Sequence, residues 1–168
     1  IVCSAAMLLG AETFAAAQTT QPASSVPATQ PMAATVDSVT GSVQARPAAG
    51  GKFAPVNKGD TLAPGTLITT GPRSQAVVTF GDNSVVVVEQ LSAMTIDEIY
   101  RQARGDTPTV VTRLKLRNGS LRAGVERGRT QSDFQVSTPV ATLSVRGTRP
   151  IRAYYDAGAG QLWFFLAR

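Results

Sequence analysis

The residue types that perform most enzymatic chemistry are scarce in this chain. It has no histidine among its 168 residues, and its single cysteine is Cys3. A Ser/His/Asp or Cys/His nucleophilic arrangement is therefore excluded, because each requires an imidazole base. A zinc site would have to consist of carboxylates alone, and the acidic residues are few and scattered. Since no phosphate loop or dinucleotide fingerprint is present either, we expect a protein that is not an enzyme and binds no metal or other cofactor.

Positive charge is the one feature with functional content. The chain has 16 Lys and Arg residues against 11 Asp and Glu, which gives a net charge of +5. Within the run 112–117, three basic residues alternate with two leucines. Strand period 2 places Arg113, Lys115 and Arg117 on one face, and Leu114 and Leu116 on the other. We call these three basic residues the basic ladder.

Two interpretations of the basic ladder stay open. It could bind an anionic envelope polymer or an acidic protein partner, with Arg122 joining it if the register of the following strand allows. Alternatively, it is a solvated sheet face that discourages edge-to-edge aggregation. Nucleic acid is not expected as a partner, because no aromatic residues are interleaved with these bases.

The elements that would position these residues are short strands. Runs that alternate apolar and polar residues are separated by turn signals at intervals of about 8–12 residues, which is typical of an all-β protein. We predict about ten short strands, arranged either as a two-sheet sandwich or as a β-solenoid. Turns are predicted at Gly71-Pro72, at 81–84, at the hairpin signal Asn118-Gly119 and at Thr138-Pro139.

Three further segments complete the strand assignment. The valines of 85–88 predict a strand buried on both faces. Residues 91–100 are either a strand throughout or a strand that ends in one helical turn at 97–100. Residues 102–109 are polar and contain Gly and Pro, so they predict a loop.

The ends of the chain differ in composition from its middle. Residues 1–17 are apolar and end in Ala15-Ala16-Ala17, which is typical of the tail of a signal peptide. This run is too short for a transmembrane helix. Residues 18–34 are uncharged and rich in Pro, Ser, Thr, Gln and Ala, so they predict a disordered linker. The folded domain is expected over 35–168, where the closing apolar run resembles a strand cut short.

Two stretches of the domain resemble the FecR family of bacterial envelope proteins. They are GDTLAPGTLITTGPRSQAVVTFGDNSVVVV, from Gly59, and TPVATLSVRGT, from Thr138. The resemblance extends over roughly 38–148. Its signature positions, for which we expect structural roles, are Gly59, Asp60, Gly71, Phe80, Asp82, Ser84, Thr138, Pro139, Arg146, Gly147 and Thr148.

The resemblance implies a periplasmic or secreted, non-catalytic module that takes part in protein interaction or signal relay. A structural or ligand-binding envelope protein that holds a glycan or other anionic polymer on its basic face is the alternative. No transmembrane segment is expected. The chain departs from the family pattern at Arg149-Pro150, and we do not expect the anti-sigma activity of the sensor members here.

Overall fold

A computed structural model describes residues 29–81, 83–104, 107–125, 131–145 and 150–166, and every structural statement below refers to them. Within these ranges the chain forms strands and no helix, which confirms the all-β class. The strands are β1 Thr29–Pro31, β2 Ala34–Thr40, β3 Val43–Arg46, β4 Ala54–Pro55, β5 Thr61–Leu62, β6 Leu67–Thr70, β7 Gln75–Thr79, β8 Val85–Val88, β9 Ala93–Arg104, β10 Thr107–Gly124, β11 Gln131–Ser137, β12 Thr142–Val145, β13 Ile151–Asp156 and β14 Gln161–Leu166.

These strands form one curled sheet with two halves. In half I, β10 lies between β9 and β11, and the order is β4-β3-β6-β9-β10-β11-β12. In half II, β10 lies between β8 and β13, and the order is β5-β2-β7-β8-β10-β13-β14. All described strand pairs are antiparallel except β10–β11. Because a solenoid would stack parallel coils, this arrangement corresponds to the sandwich alternative.

The hydrophobic core lies between the two halves. Phe80, at the end of β7 in half II, packs edge to face on Phe134 of β11 in half I, with ring centroids 6.3 Å apart. Both rings are 1% exposed. Strand alternation supplies the surrounding layer, in which Leu114 and Leu116 are buried as predicted. The valines of β8 follow the same alternation, since Val86 and Val88 are fully buried while Val85 and Val87 are only half-buried. The expectation of burial on both faces is therefore met in part.

Strand β10 is the element that joins the halves, and it corrects two predictions. Asn118-Gly119 is not a hairpin turn, because β10 continues through it from residue 107 to residue 124. Up to Asn118 the strand pairs with β9 in half I, and from Gly119 it pairs with β13 in half II. The expected loop at 102–109 is also mostly strand, since β9 extends to Arg104 and β10 begins at Thr107.

At four neighbouring places the chain passes from one half of the sheet to the other. We call the line through these four crossings the seam. Each crossing contains one residue with positive φ, and a serine follows it directly. The four pairs, with φ of the first residue, are Gly41-Ser42 (74°), Arg73-Ser74 (54°), Leu91-Ser92 (53°) and Gly119-Ser120 (89°). The crossings connect β2 to β3, β6 to β7 and β8 to β9, and the last lies within β10.

Serine hydroxyls bond the crossings in pairs. The amide of Ser42 donates to Ser74 Oγ at 2.9 Å, and the amide of Ser120 donates to Ser92 Oγ at 2.8 Å. Each accepting hydroxyl also donates to the carbonyl two residues before it, at 3.0 Å for Ser74 and 3.1 Å for Ser92. Thr70 and Gly71 lie between the two pairs, because Thr70 Oγ1 accepts from the Ser92 amide at 3.0 Å and the Gly71 amide donates to the Ser42 carbonyl at 2.9 Å.

The positive-φ positions differ from those expected. The predicted turns at Gly71-Pro72 and 81–84 each contain a glycine that could adopt positive φ, but the left-handed residues there are Arg73 and Asn83. The hairpin between β7 and β8 is confirmed, and the Asn83 amide donates to the Phe80 carbonyl at 2.9 Å. A non-glycine residue in this region costs about 1–2 kcal/mol, so Arg73 is held there by the surrounding hydrogen bonds.

The strand count is fourteen instead of about ten. Part of the difference comes from two-residue strands such as β4 and β5, which carry little periodicity. Strand β1 lies inside the range in which the sequence predicts a linker, and it pairs with β9. Residues 93–100 are strand throughout, so the helical-turn alternative at 97–100 is wrong.

We expect Phe80→Ala to lower the free energy of unfolding by about 3–5 kcal/mol, because it leaves a cavity against Phe134. Phe53→Ala is the matched control. Phe53 is exposed and only covers the guanidinium of Arg46, so its loss should change stability by no more than about 0.5 kcal/mol. Chemical denaturation of both variants measures the difference, and equal midpoints would contradict the core assignment.

Gly119→Ala should also destabilise the protein strongly. A Cβ at this position would lie 2.4 Å from Ser92 Oγ and 2.7 Å from the Leu91 carbonyl oxygen. Gly160→Ala is the control, since Gly160 has a similar positive φ of 64° but nothing within 4 Å. Both variants carry the strain of about 1–2 kcal/mol, and only Gly119→Ala adds an overpacking cost of about 1–3 kcal/mol. Thermal unfolding that ranks them equally would rule out tight packing at the seam.

Candidate functional site

The predicted basic residues are divided between the two halves. Arg113, Lys115 and Arg117 lie on the outer face of half I, whereas Arg122 follows the seam and lies on half II. Arg113 is already paired, with its Nε 3.6 Å from Glu98 Oε2 and its Nη2 3.2 Å from Asp133 Oδ2. Lys115 and Arg117 are exposed, and no carboxylate among the described residues lies within 4.0 Å of them.

A buried carboxylate organises the charges on half II. Glu89 directly follows β8, and Arg122 Nε lies 2.8 Å from its Oε1. Its Oε2 accepts from Arg152 Nη2 and from the hydroxyl of Ser120. The Glu89 side chain is 14% exposed, whereas the two arginine side chains are about half exposed. We call these four residues the Glu89 cluster.

The geometry of β10 and β13 explains why this carboxylate is needed. Arg122 and Arg152 lie directly opposite each other on neighbouring strands, and like charges in that position repel. Glu89 lies between them and neutralises one of the two charges. The cluster therefore keeps a net charge of +1, and both guanidinium groups retain donors that Glu89 does not occupy.

The environment of Glu89 keeps it ionised. Burial raises the pKa of this carboxyl. The hydrogen bonds from Ser120 and Arg152 and the charges of Arg152 and Arg122 lower the pKa by more than burial raises it. The net result is a pKa below the ordinary value of 4.5. At neutral pH the side chain is therefore a carboxylate that accepts from both arginines.

A surface cleft of about 530 Å³ opens beside this cluster, along the second half of the seam. We call it the seam cleft. It is lined by the corner residues Leu91 and Gly119 and by polar and aromatic side chains, which are Glu89, Gln90, Asn118, Ser120, Arg152, Tyr154, Asp156 and Phe165. A second cleft of about 340 Å³, next to Arg73, shares Glu89, Gln90 and Arg152 with it.

Sequence reasoning missed the acidic and basic partners of this site. Glu89 and Arg152 are 63 residues apart, so no local pattern connects them. Arg122 was named as a candidate, but its contact with Glu89 depends on β10 continuing through Asn118-Gly119. The one available signal was Arg152 itself, which alternates with apolar residues in 151–156 as a strand residue would.

Several of the described signature residues make contacts in turns or lie in the core. In the turn after β4, Asp60 Oδ2 accepts from the Asn57 amide at 2.8 Å, and Gly59 has a φ of 90°. Ser84 is fully buried beside the core. The Thr138 hydroxyl closes the turn before β12, because it accepts from the Ala141 amide at 3.1 Å. The signature residues Asp82, Arg146, Gly147 and Thr148 lie outside the described residues.

The ligand sets that hold metal ions need several side chains that converge on one point. No group of three or more His, Cys, Asp or Glu side chains converges within the described part of the chain. Nor does any helix there have the length and apolar character needed to span a membrane. The arrangement can bind, through its aromatic and charged surfaces.

Comparison with protein families identifies the chain. The family model described as FecR protein matches residues 66–163, which is more than half of the chain. The protein belongs to the FecR family. Comparison with curated proteins and with solved structures gives no match. The FecR match starts just before β6 and extends into β14, so the family pattern continues beyond Arg149-Pro150, where the sequence resemblance ended.

We expect Glu89→Gln to destabilise this FecR protein at pH 7 by about 1–3 kcal/mol, because it leaves Arg122 and Arg152 without a carboxylate. The folded-state pKa of Glu89 is lowered, so its contribution is present above pH 4.5 and is lost as the pH falls through that lowered value. The difference from wild type should therefore shrink in acid.

Glu98→Gln is the control for this charge removal. Glu98 is more than half exposed and lies 3.6 Å from Arg113, so its effect should stay below about 1 kcal/mol at every pH. Denaturant unfolding at pH 7 and at pH 3 measures both variants. A Glu89→Gln difference that is the same at the two pH values would rule out the ionised carboxylate as its source.

Proposed function

We propose that this FecR protein is an exported, non-catalytic module of the bacterial cell envelope that binds a protein partner and relays a signal. The family match carries the proposal, since the FecR family is regulatory and non-enzymatic. The match includes three of the four seam crossings and all residues of the Glu89 cluster. The part of the protein that carries the family pattern is thus the part that presents the seam cleft.

Export is supported by the sequence that precedes the folded strands. The apolar run at 1–17 and the polar stretch from residue 18 have the composition of a leader and a spacer. When the gene is expressed with a complete leader, the N-terminus of the exported product should lie near Gln18. N-terminal sequencing of the periplasmic fraction checks this, and an intact leader on a cytoplasmic product would overturn the export proposal.

The relay role requires a specific protein partner. The full chain, immobilised and exposed to envelope extract, should retain one partner that in turn captures the FecR protein when it is immobilised itself. If the partner binds half II, the Glu98→Gln variant, which is changed on half I, should retain the partner as well as wild type does. Failure of the reciprocal capture would count against a relay role.

The alternative is an envelope protein that holds a glycan or other anionic polymer on the basic ladder. The exposure of Lys115 and Arg117 favours it. The pairing of Arg113 with Glu98 and Asp133 weakens it, because the ladder then offers two free cations instead of three. Arg122, the fourth basic residue predicted to join the ladder, lies on half II and is paired with Glu89.

Replacing Arg113, Lys115 and Arg117 together by Gln should leave the fold intact. The exposed Lys115 and Arg117 should cost within about 0.5 kcal/mol each, and the loss of the two partly exposed ion pairs of Arg113 should cost up to about 1 kcal/mol each. If the ladder binds an anionic polymer, the triple variant should lose retention that is sensitive to salt. Leu114→Gln is the contrasting variant and should unfold the domain, because Leu114 is 1% exposed. Circular dichroism and retention on envelope polymer measure the two effects. A folded Leu114→Gln beside a collapsed triple variant would contradict the assigned faces.

A further inference from the structure

Half II carries a row of exposed aromatic side chains beside the seam cleft. Tyr154 and Trp163 lie directly opposite each other on β13 and β14, with ring centroids 5.3 Å apart and an interplanar angle of 36°. Phe165 follows two residues along β14, opposite Arg152. We call Tyr154, Trp163 and Phe165 the aromatic strip. Each of these side chains is 40–55% exposed.

Strand alternation on β13 places Tyr154 on the outer face of half II, and Trp163 and Phe165 of the edge strand β14 share that face. On β14 the residues of the opposite face, Phe164 and Leu166, are exposed as well. The neighbours of Tyr154 on β13, Ala153 and Tyr155, are buried in the core. Tyr154 and Phe165 line the seam cleft together with Arg152. Exposed aromatic rings beside polar groups in a cleft are unusual on a surface with no ligand, because burial of each ring would be favourable.

The two ends of the strip have different chemistry. Arg122 and Arg152 lie at the Phe165 end and keep a net charge of +1 after pairing with Glu89. At the other end, the seam cleft is lined by Asp156 and Asn118. A ligand that lies along the strip would therefore meet positive donors at one end and hydrogen-bond acceptors at the other.

The polar groups at the acceptor end are held in place before any ligand binds. Asp156 Oδ1 accepts from the amides of Gly158 and Ala159, at 2.8 and 3.2 Å. Asn118 is fixed by the Leu91 carbonyl and by the Ala157 amide, both at 3.2 Å. Groups fixed in this way lose little conformational freedom on binding, which favours affinity.

We propose that the aromatic strip and the seam cleft bind an acidic glycan, a chain of pyranose rings that carries carboxylates. The C–H faces of a pyranose are apolar and fit against the negative face of an aromatic ring. A sugar carboxylate is complementary to the net charge of +1 that the Glu89 cluster keeps, and the guanidinium of Arg152 has further donors that suit a carboxylate. Hydroxyls of the neighbouring ring fit the acceptors of Asp156.

This inference goes beyond the relay role and also differs from the basic-ladder alternative. The strip lies on half II, whereas Lys115 and Arg117 lie on half I. Ligand binding at the strip needs aromatic stacking in addition to charge. A polyanion bound by the ladder would need charge alone, so the two surfaces can be separated by substitution.

The test uses the full chain with polygalacturonate as the acidic probe and dextran as the neutral one. Affinity electrophoresis or calorimetry should show binding to polygalacturonate and little to dextran. Trp163→Ala should weaken binding at least tenfold, with an unchanged circular dichroism spectrum. Should Trp163→Ala fail to fold, Phe165→Ala, at the most exposed ring of the strip, should give the same loss.

Two matched controls report on other sources of binding. Phe53→Ala removes an exposed aromatic ring that lies outside the strip, on half I. Lys115→Gln removes a charge from the basic ladder. Both should bind polygalacturonate as wild type does. Arg152→Lys keeps the positive charge but loses the planar guanidinium, which can hold a carboxylate through two hydrogen bonds. It should weaken binding of polygalacturonate, with only a small change in stability.

Three results would overturn the proposal. The first is a wild-type chain that does not bind polygalacturonate. The second is an equal loss in Lys115→Gln and Trp163→Ala, which would show nonspecific charge attraction. The third is a Trp163→Ala chain that binds glycan normally but changes its sedimentation, which would assign the strip to protein contact. A failed partner capture would not affect these outcomes, so the relay and the glycan proposals can fail separately.

Discussion

The hydrogen bonds that serine hydroxyls accept at the seam are the interaction on which the rest of this structure depends. Where a strand leaves one half of the sheet, its amides lose their ladder partners, and an unpaired buried amide is costly. Ser74 and Ser92 supply the missing acceptors for the amides of Ser42 and Ser120. Because this amide-to-hydroxyl bond forms in both pairs of crossings, the two crossings of each pair stay aligned along the strand direction. The registers of both halves, and therefore the facing of Phe80 and Phe134, follow from that alignment.

The seam also determines where the charged and aromatic groups lie. Glu89 is three residues before Ser92, and Arg122 is two residues after Ser120, so the corner bonds bring carboxylate and guanidinium together. Arg152 enters this cluster from β13, which pairs with β10 only after the crossing. The result is a cleft whose walls are held by hydrogen bonds and ion pairs, in a protein of the regulatory FecR family.

Local patterns predicted much of the fold. The all-β class, the turn at 81–84, the turn at Thr138-Pro139 and the buried leucines of β10 all depend on near neighbours. The hairpin prediction at Asn118-Gly119 was wrong because a two-residue hairpin and a corner within a strand both favour glycine at positive φ. Arg73 and Leu91 gave no signal at all, since neither residue type favours that region. The Glu89 cluster depends on pairings across the sheet, which periodicity does not reveal. The binding role of the basic ladder stays a prediction.

Strand β10 has a mechanical consequence for a relay. Its described residues run unbroken from 107 to 124, and along that length they pair with β8, β9, β11 and β13. At 109–115 and at 121–123 a hinge would have to break backbone bonds on both sides of the strand at once, whereas residues 116–120 pair on one side only. Load applied to half I therefore reaches half II through one continuous backbone that bends most easily at the Gly119 corner. Because Gly119 lines the seam cleft, such a bend would change the shape of that cleft.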